Sequence, residues 1–193
     1  MAAASTEIPD NSGEKDILGA GIHAAYFFEN HSEKQLKLFS LSREAVDLKN
    51  AYLIYIAGKQ GVKGIRLSLK DTGFDVSAYE KKQQMKIVDS EEFFLTSGRQ
   101  QQFRSLQELE EKIRGSEKDA SKAGLSLLVV LSETDMLVRK GYLENYKEFD
   151  VLMCKLLPTS SIALICAFDR RELVARGVAN CESEFGPLHS VIV

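Results

Sequence analysis

The chain of 193 residues contains no tryptophan and only three prolines, three cysteines and three histidines. Cys154, Cys166 and Cys181 are odd in number and show no C-x-x-C spacing, which argues against a disulfide framework and a cysteine-dense zinc site; reduced thiols are expected. No apolar run approaches the ~18–20 residues of a membrane span. Met1 to Glu7 lacks the basic-then-apolar order of a secretion signal, so the expected location is cytoplasmic. A surplus of basic charge is missing too. Lys and Arg number 25 against 28 Asp and Glu, a net charge of −3, and pairs such as Lys81-Lys82 and Arg170-Arg171 sit beside acids. That balance gives no footprint for nucleic acid.

What is present is ordinary globular composition, 44% hydrophobic and 27% charged, in a chain long enough for one sizeable core. Residues 1–16 are small, polar and acidic and read as a disordered tail; 17–193 read as a single domain. Apolar runs predict strands over 22–28, 51–57, 74–76, 85–89, 125–131, 162–168 and 191–193. Helical periodicity predicts helices from a Ser32 N-cap with Gln35 three residues on, over 59–72, 105–123 and 142–157, and near 171–180, while the acids at Glu91 and Glu92 suit the start of another. Strands separated by helices imply right-handed crossovers, and therefore a three-layer α/β fold with a mostly parallel sheet.

Such folds build ligand sites at the carboxyl ends of their strands. The connection after the first strand reads Glu29-Asn30-His31-Ser32-Glu33-Lys34, without one glycine, where a phosphate loop would need G-x-x-x-x-G-K-S/T. Gly58-Lys59 is followed by Gln60, and Gly58, Gly61 and Gly64 lack dinucleotide spacing. Leu127 to Glu133 has the form of a hydrophobic strand ending in the acid that holds magnesium in nucleoside triphosphatases, although Glu133 could equally cap a turn. His23 lies in an apolar strand, Cys166 between Ile165 and Ala167, and His189 in a loop after Gly186-Pro187. His23 reads first as a satisfied core histidine and Cys166 as a small buried hydrophobe, His189 is as readily structural as functional, and no catalytic triad can be claimed. Imidazole and thiolate suit zinc, but without a local pair such as H-x-x-x-H neither metal nor cofactor is expected.

In order, these pieces resemble the MEDS family, the methanogen/methylotroph, DcmR-like sensory domain. The resemblance rests on His23 with Ala25-Tyr26-Phe27, on Gly124 to Val130 with Ser132-Glu133-Thr134, on Tyr146-Lys147-Glu148, on Leu164 to Asp169, and on His189. It implies a RecA- or KaiC-like α/β domain without a working P-loop, in an archaeal or bacterial signalling protein, sensing a small, hydrocarbon-derived ligand. It further implies that His23, Glu133, Glu148, Cys166, Phe168, Asp169 and His189 form the ligand site. Two departures bear on the ligand: Met136-Leu137 stand where the family has a tryptophan, and Phe168 replaces its usual tyrosine, removing a hydroxyl donor. No helix-turn-helix, kinase core or heptad linker is visible, so signalling through a partner protein or homo-oligomer is expected, without direct nucleic-acid or membrane contact. The leading expectation is a non-catalytic sensory module. The alternatives are an enzyme using Cys166 or Glu133, and a degenerate RecA-like scaffold with residual nucleotide binding.

Overall fold

The computed structural model describes residues 16–193; the expected tail over 1–15 lies outside them, and Asp16 is engaged with Lys49 and the Leu18 amide. The apolar runs form β1 (His23–Phe28), β2 (Tyr52–Ala57), β3 (Met85–Asp89), β4 (Leu128–Glu133), β5 (Ile162–Asp169) and β6 (Val191–Ile192). They assemble as one sheet in the order β3-β2-β4-β5-β1-β6, with every pairing parallel. β1 and β5, the pair that carries most of the singled-out residues, are adjacent interior strands of that order.

Alternation along the strands divides the core into two layers. Leu128, Val130, Leu164, Cys166 and Phe168 face one side, against α4 (Ser90–Phe94), α5 (Leu106–Lys122), α6 (Asp135–Arg139), α7 (Leu143–Leu156), α8 (Arg170–Ala175) and α9 (Cys181–Phe185). Ala24, Tyr26, Tyr55, Val129, Leu131 and Ala167 face the other, against α1 (His31–Arg43), α2 (Gly61–Asp71) and α3 (Val76–Lys81). Both faces are covered, which is why the strands read as continuous apolar runs. Among the described residues no helix is long and apolar enough to cross a membrane.

Four local expectations are corrected, each for a capping or turn reason. Residues 74–76 are not a strand: the Asp75 carboxylate accepts the Ala78 amide at 3.1 Å and starts α3, while the Phe74 and Tyr79 rings stack at 4.9 Å across the helix entry as a hydrophobic staple. α1 is capped by Asn30 rather than Ser32. The Asn30 Oδ1 accepts the Glu33 amide at 2.8 Å, and Glu33 Oε2 in turn accepts from Asn30 Nδ2. The helix expected near 171–180 is split in two, because Gly177 takes φ 89° after α8 and Asn180 caps α9. β4 covers Leu128–Glu133 rather than 125–131, because Gly124 at φ 76° closes α5 and the Leu125 amide still donates to the Ala120 carbonyl. That shift carries Ser132 and Glu133 inside the sheet. Ser105, by contrast, opens α5 with a full capping box to Glu108.

Candidate functional site

His23 on β1, Asp150 on α7, Cys166 on β5 and His189 ahead of β6 meet in the α7 layer, their ligand atoms all within 4.8 Å of one another. β1 and β5 pair Ala25 with Cys166, so His23 and Cys166 share a face, and α7 lays Asp150 across them. The distances are 3.4 Å from His23 Nε2 to Asp150 Oδ1, and 3.6 Å from Cys166 Sγ to both His23 Nε2 and Asp150 Oδ1. His189 Nε2 lies 3.7 Å from Asp150 Oδ2. Asp150 and Cys166 are fully buried, and the His189 side chain has no exposed surface.

The proton positions follow from the neighbours. His189 Nδ1 sits 2.7 Å from the Phe185 carbonyl oxygen, which can only accept, so Nδ1 carries the hydrogen and Nε2 a bare lone pair. Burial pushes the His189 pKa down, holding the ring neutral. Cys154 donates its S–H to the Leu188 carbonyl, and its sulfur lies 3.6 Å from His23 Nδ1, while His23 Nε2 faces Asp150 Oδ1 at 3.4 Å. The His189 lone pair therefore faces the Asp150 carboxylate, at 3.7 Å from Oδ2. Among the described residues Asp150 Oδ2 and His189 Nε2 have no hydrogen-bond partner, although burying such groups unpaired is costly. Burial, followed by the nearby Asp150 charge, pushes the Cys166 thiol well above the usual range.

A second assembly lies on the opposite face. The Glu133 carboxylate, fully buried, accepts from Lys34 Nζ at 2.9 Å, Tyr55 Oη at 2.6 Å and the Gly58 amide at 3.1 Å. Burial and Glu133 together push the Tyr55 hydroxyl well above its usual pKa, so it remains a donor. Above this trio, at the carboxyl ends of β1, β2, β4 and β5, opens a cleft of about 350 Å³ lined by Phe28, His31, Lys34, Lys59, Gln60, Asp135, Asp169 and Arg171. Asp169 caps α8 and pairs with Arg171; the Asp135 Oδ1 accepts the Lys59 amide at 3.1 Å. A larger hollow of about 550 Å³ beside α2, lined by Arg66, Lys70 and Asp75, lies away from the strand ends and from both assemblies.

Gly58 fixes the rear of the cleft. A Cβ there would lie 1.9 Å from Asp135 Oδ1 and 2.9 Å from Glu133 Cβ. Gly58→Ala is expected to displace Asp135 and to cost about 1–3 kcal/mol by overpacking, read as a lower denaturant midpoint with an unchanged m-value.

The structure thus unites His23, Cys166 and His189 but separates the other residues expected with them. Glu133 follows Ser132, whose register partner is Cys166, and so points through the opposite face of the sheet. Glu148 is exposed, because two residues beyond Tyr146 is about 200° around a helix. Phe168 is a packing residue beside the cluster, its ring 4.5 Å from Phe185 and 5.5 Å from Phe27. Asp169 lines the cleft instead. Sequence reasoning missed Asp150. Its signal was position: Leu143, Tyr146, Asp150 and Met153 form one buried stripe of α7, and a charged residue within an apolar stripe must be buried.

The model of the MEDS family, described as MEthanogen/methylotroph, DcmR Sensory domain, matches residues 22–182, and the chain belongs to that family of sensory domains. His189 lies beyond the matched range. A search of curated proteins by sequence finds no match. Among solved structures the chain is similar to a KaiC-like protein from the hyperthermophilic archaeon Pyrococcus horikoshii OT3, with a TM-score of 0.52 at 10% identity over 78% of this chain. The chain spans 62% of that protein's length. At this identity the likeness concerns the fold, a RecA/KaiC-like α/β domain.

Proposed function

We propose that this domain is a non-catalytic sensor that takes a small oxygenated organic molecule into the cleft at the carboxyl ends of β1, β2, β4 and β5. The observation that carries the reading is the lining. Phe28 supplies an apolar wall, and His31, Gln60, Lys59 and Arg171 place polar groups around an opening of about 350 Å³, within the size range of small-molecule sites. Lys34 is tied to Glu133 and Arg171 to Asp169, whereas the Lys59 ammonium has no ion-pair partner among the described residues. Lys59 is therefore the group that would meet an anionic or carbonyl oxygen. Occupancy would bias α1 and α8, whose first turns line the cleft, and a partner protein or second copy would read that bias.

Three features favour sensing over turnover or nucleotide binding. Glu133 is already engaged by three donors. The Cys166 thiol is fully buried within the core, out of reach of solvent and substrate. The start of α1, where a phosphate would be cradled, holds the Asn30–Glu33 cap and a glutamate charge.

Thermal denaturation against short-chain alcohols, aldehydes and carboxylates tests the reading. At least one compound should raise Tm in proportion to mass action without being consumed, and Lys59→Ala should abolish the shift. ATP with magnesium should leave Tm unchanged. Stabilisation by ATP, or consumption of the compound, would overturn the proposal.

A further inference from the structure

The buried cluster beneath α7 is left without a role by that reading. We propose that His23, Asp150, Cys166 and His189 bind a zinc ion in a closed tetrahedral site that fastens the C-terminal segment to the sheet. Ligands about 2.0–2.3 Å from zinc stand about 3.3–3.7 Å apart in a tetrahedron. His23 Nε2, Cys166 Sγ and Asp150 Oδ1 stand 3.4, 3.6 and 3.6 Å apart, His189 Nε2 is 3.7 Å from the other Asp150 oxygen, and one ligand atom from each of the four residues can be chosen with no pair beyond 4.8 Å. Small inward movements would complete the shell.

Three further observations point the same way. The bare His189 Nε2 lone pair and Asp150 Oδ2, neither with a hydrogen-bond partner among the described residues, stand 3.7 Å apart, an arrangement that repels unless a cation sits between them. The charges close: on binding, the Cys166 thiol releases its proton to solvent, and a thiolate, a carboxylate and two neutral imidazoles sum with the dication to zero. The outer contacts are those of metal-ligating histidines, whose second nitrogen donates to a carbonyl or another fixed acceptor. His189 does so to Phe185, and His23 Nδ1 lies 3.6 Å from the Cys154 sulfur, which would accept its hydrogen once Nε2 binds the ion. Thiolate and imidazole together favour zinc over magnesium or calcium. With four protein ligands no position remains for substrate, so the ion is structural. It joins β1, β5 and α7 to the loop after α9, which otherwise reaches the sheet through the short β6 pairing and the Ser190 bonds to His23.

The test uses the full chain purified without chelator, and needs no organic ligand, so it is independent of the cleft. Elemental analysis should find close to one zinc per chain. After removal of the metal, cobalt(II) should restore occupancy with a thiolate-to-cobalt charge-transfer band and the visible bands of a tetrahedral site. Cys166→Ala, a small apolar replacement suited to the core, should eliminate the charge-transfer band; Cys154→Ser, which keeps the bond to Leu188, should retain it. His189→Ala should weaken zinc at least about tenfold, the usual scale for a lost metal contact. A chain that contains no zinc and takes up neither ion, or a cobalt spectrum indifferent to Cys166→Ala, would overturn the proposal.

Discussion

Lys34→Ala is expected to destabilise the domain by about 3–5 kcal/mol, because it leaves the Glu133 carboxylate buried without its cation. Lys34 is 1% exposed and Glu133 fully buried, and the Tyr55 and Gly58 donors are the protein groups that remain to compensate. The Phe28 ring, 5.4 Å from the Lys34 nitrogen, loses its cation as well. Equilibrium unfolding in urea should show the loss in the midpoint. The double replacement Lys34→Met with Glu133→Leu should recover most of it, since replacing both members of a buried pair by apolar groups is often neutral or stabilising. Equal losses in the single and double variants would contradict the pairing.

Phe168→Ala should cost about 3–5 kcal/mol as a large-to-small core change, whereas Phe168→Leu should cost distinctly less. The ring is fully buried and packs on Phe27, Phe185, Tyr146 and His189. It fills the layer between α7 and α9 and packs edge-on against His189; the proposed cleft does not include it. The alanine variant should therefore lower Tm while leaving the ligand-induced increment of Tm in place. An intact Tm with a lost increment would instead assign Phe168 to the ligand.

The sheet was legible because its strands are covered on both faces: Ala51 to Ala57 and Ile162 to Phe168 lack the polar alternation of a half-exposed strand. What could not be read was register. Ser132 and Glu133 are adjacent, and which of them shares a face with Cys166 depends on how β4 pairs with β5; a slip of one residue would exchange them. Glu148 and Asp150 illustrate a different limit, since both are acids on α7 and only the second falls on the stripe of Tyr146 and Met153. Family resemblance drew attention to Glu148, whereas helical geometry selects Asp150. The caps at Asn30 and Asp75 were missed for a third reason: several residues nearby offer equivalent oxygen acceptors, and only the tertiary entry of the chain decides among them. His23, Cys166 and His189 were recognisable as polar groups in apolar surroundings. Their meeting depends on β1 and β5 being neighbours in the sheet, although His23 and Cys166 stand 143 positions apart in the chain.

Amide hydrogen exchange, measured with and without the compound that most raises Tm, would show whether the carboxyl-end cleft receives the sensed molecule. Binding there predicts slower exchange over residues 29–35, 58–60 and 169–172, and little change over the buried ladder of β5. Protection confined to the hollow beside α2, or no protection at any strand end, would contradict it.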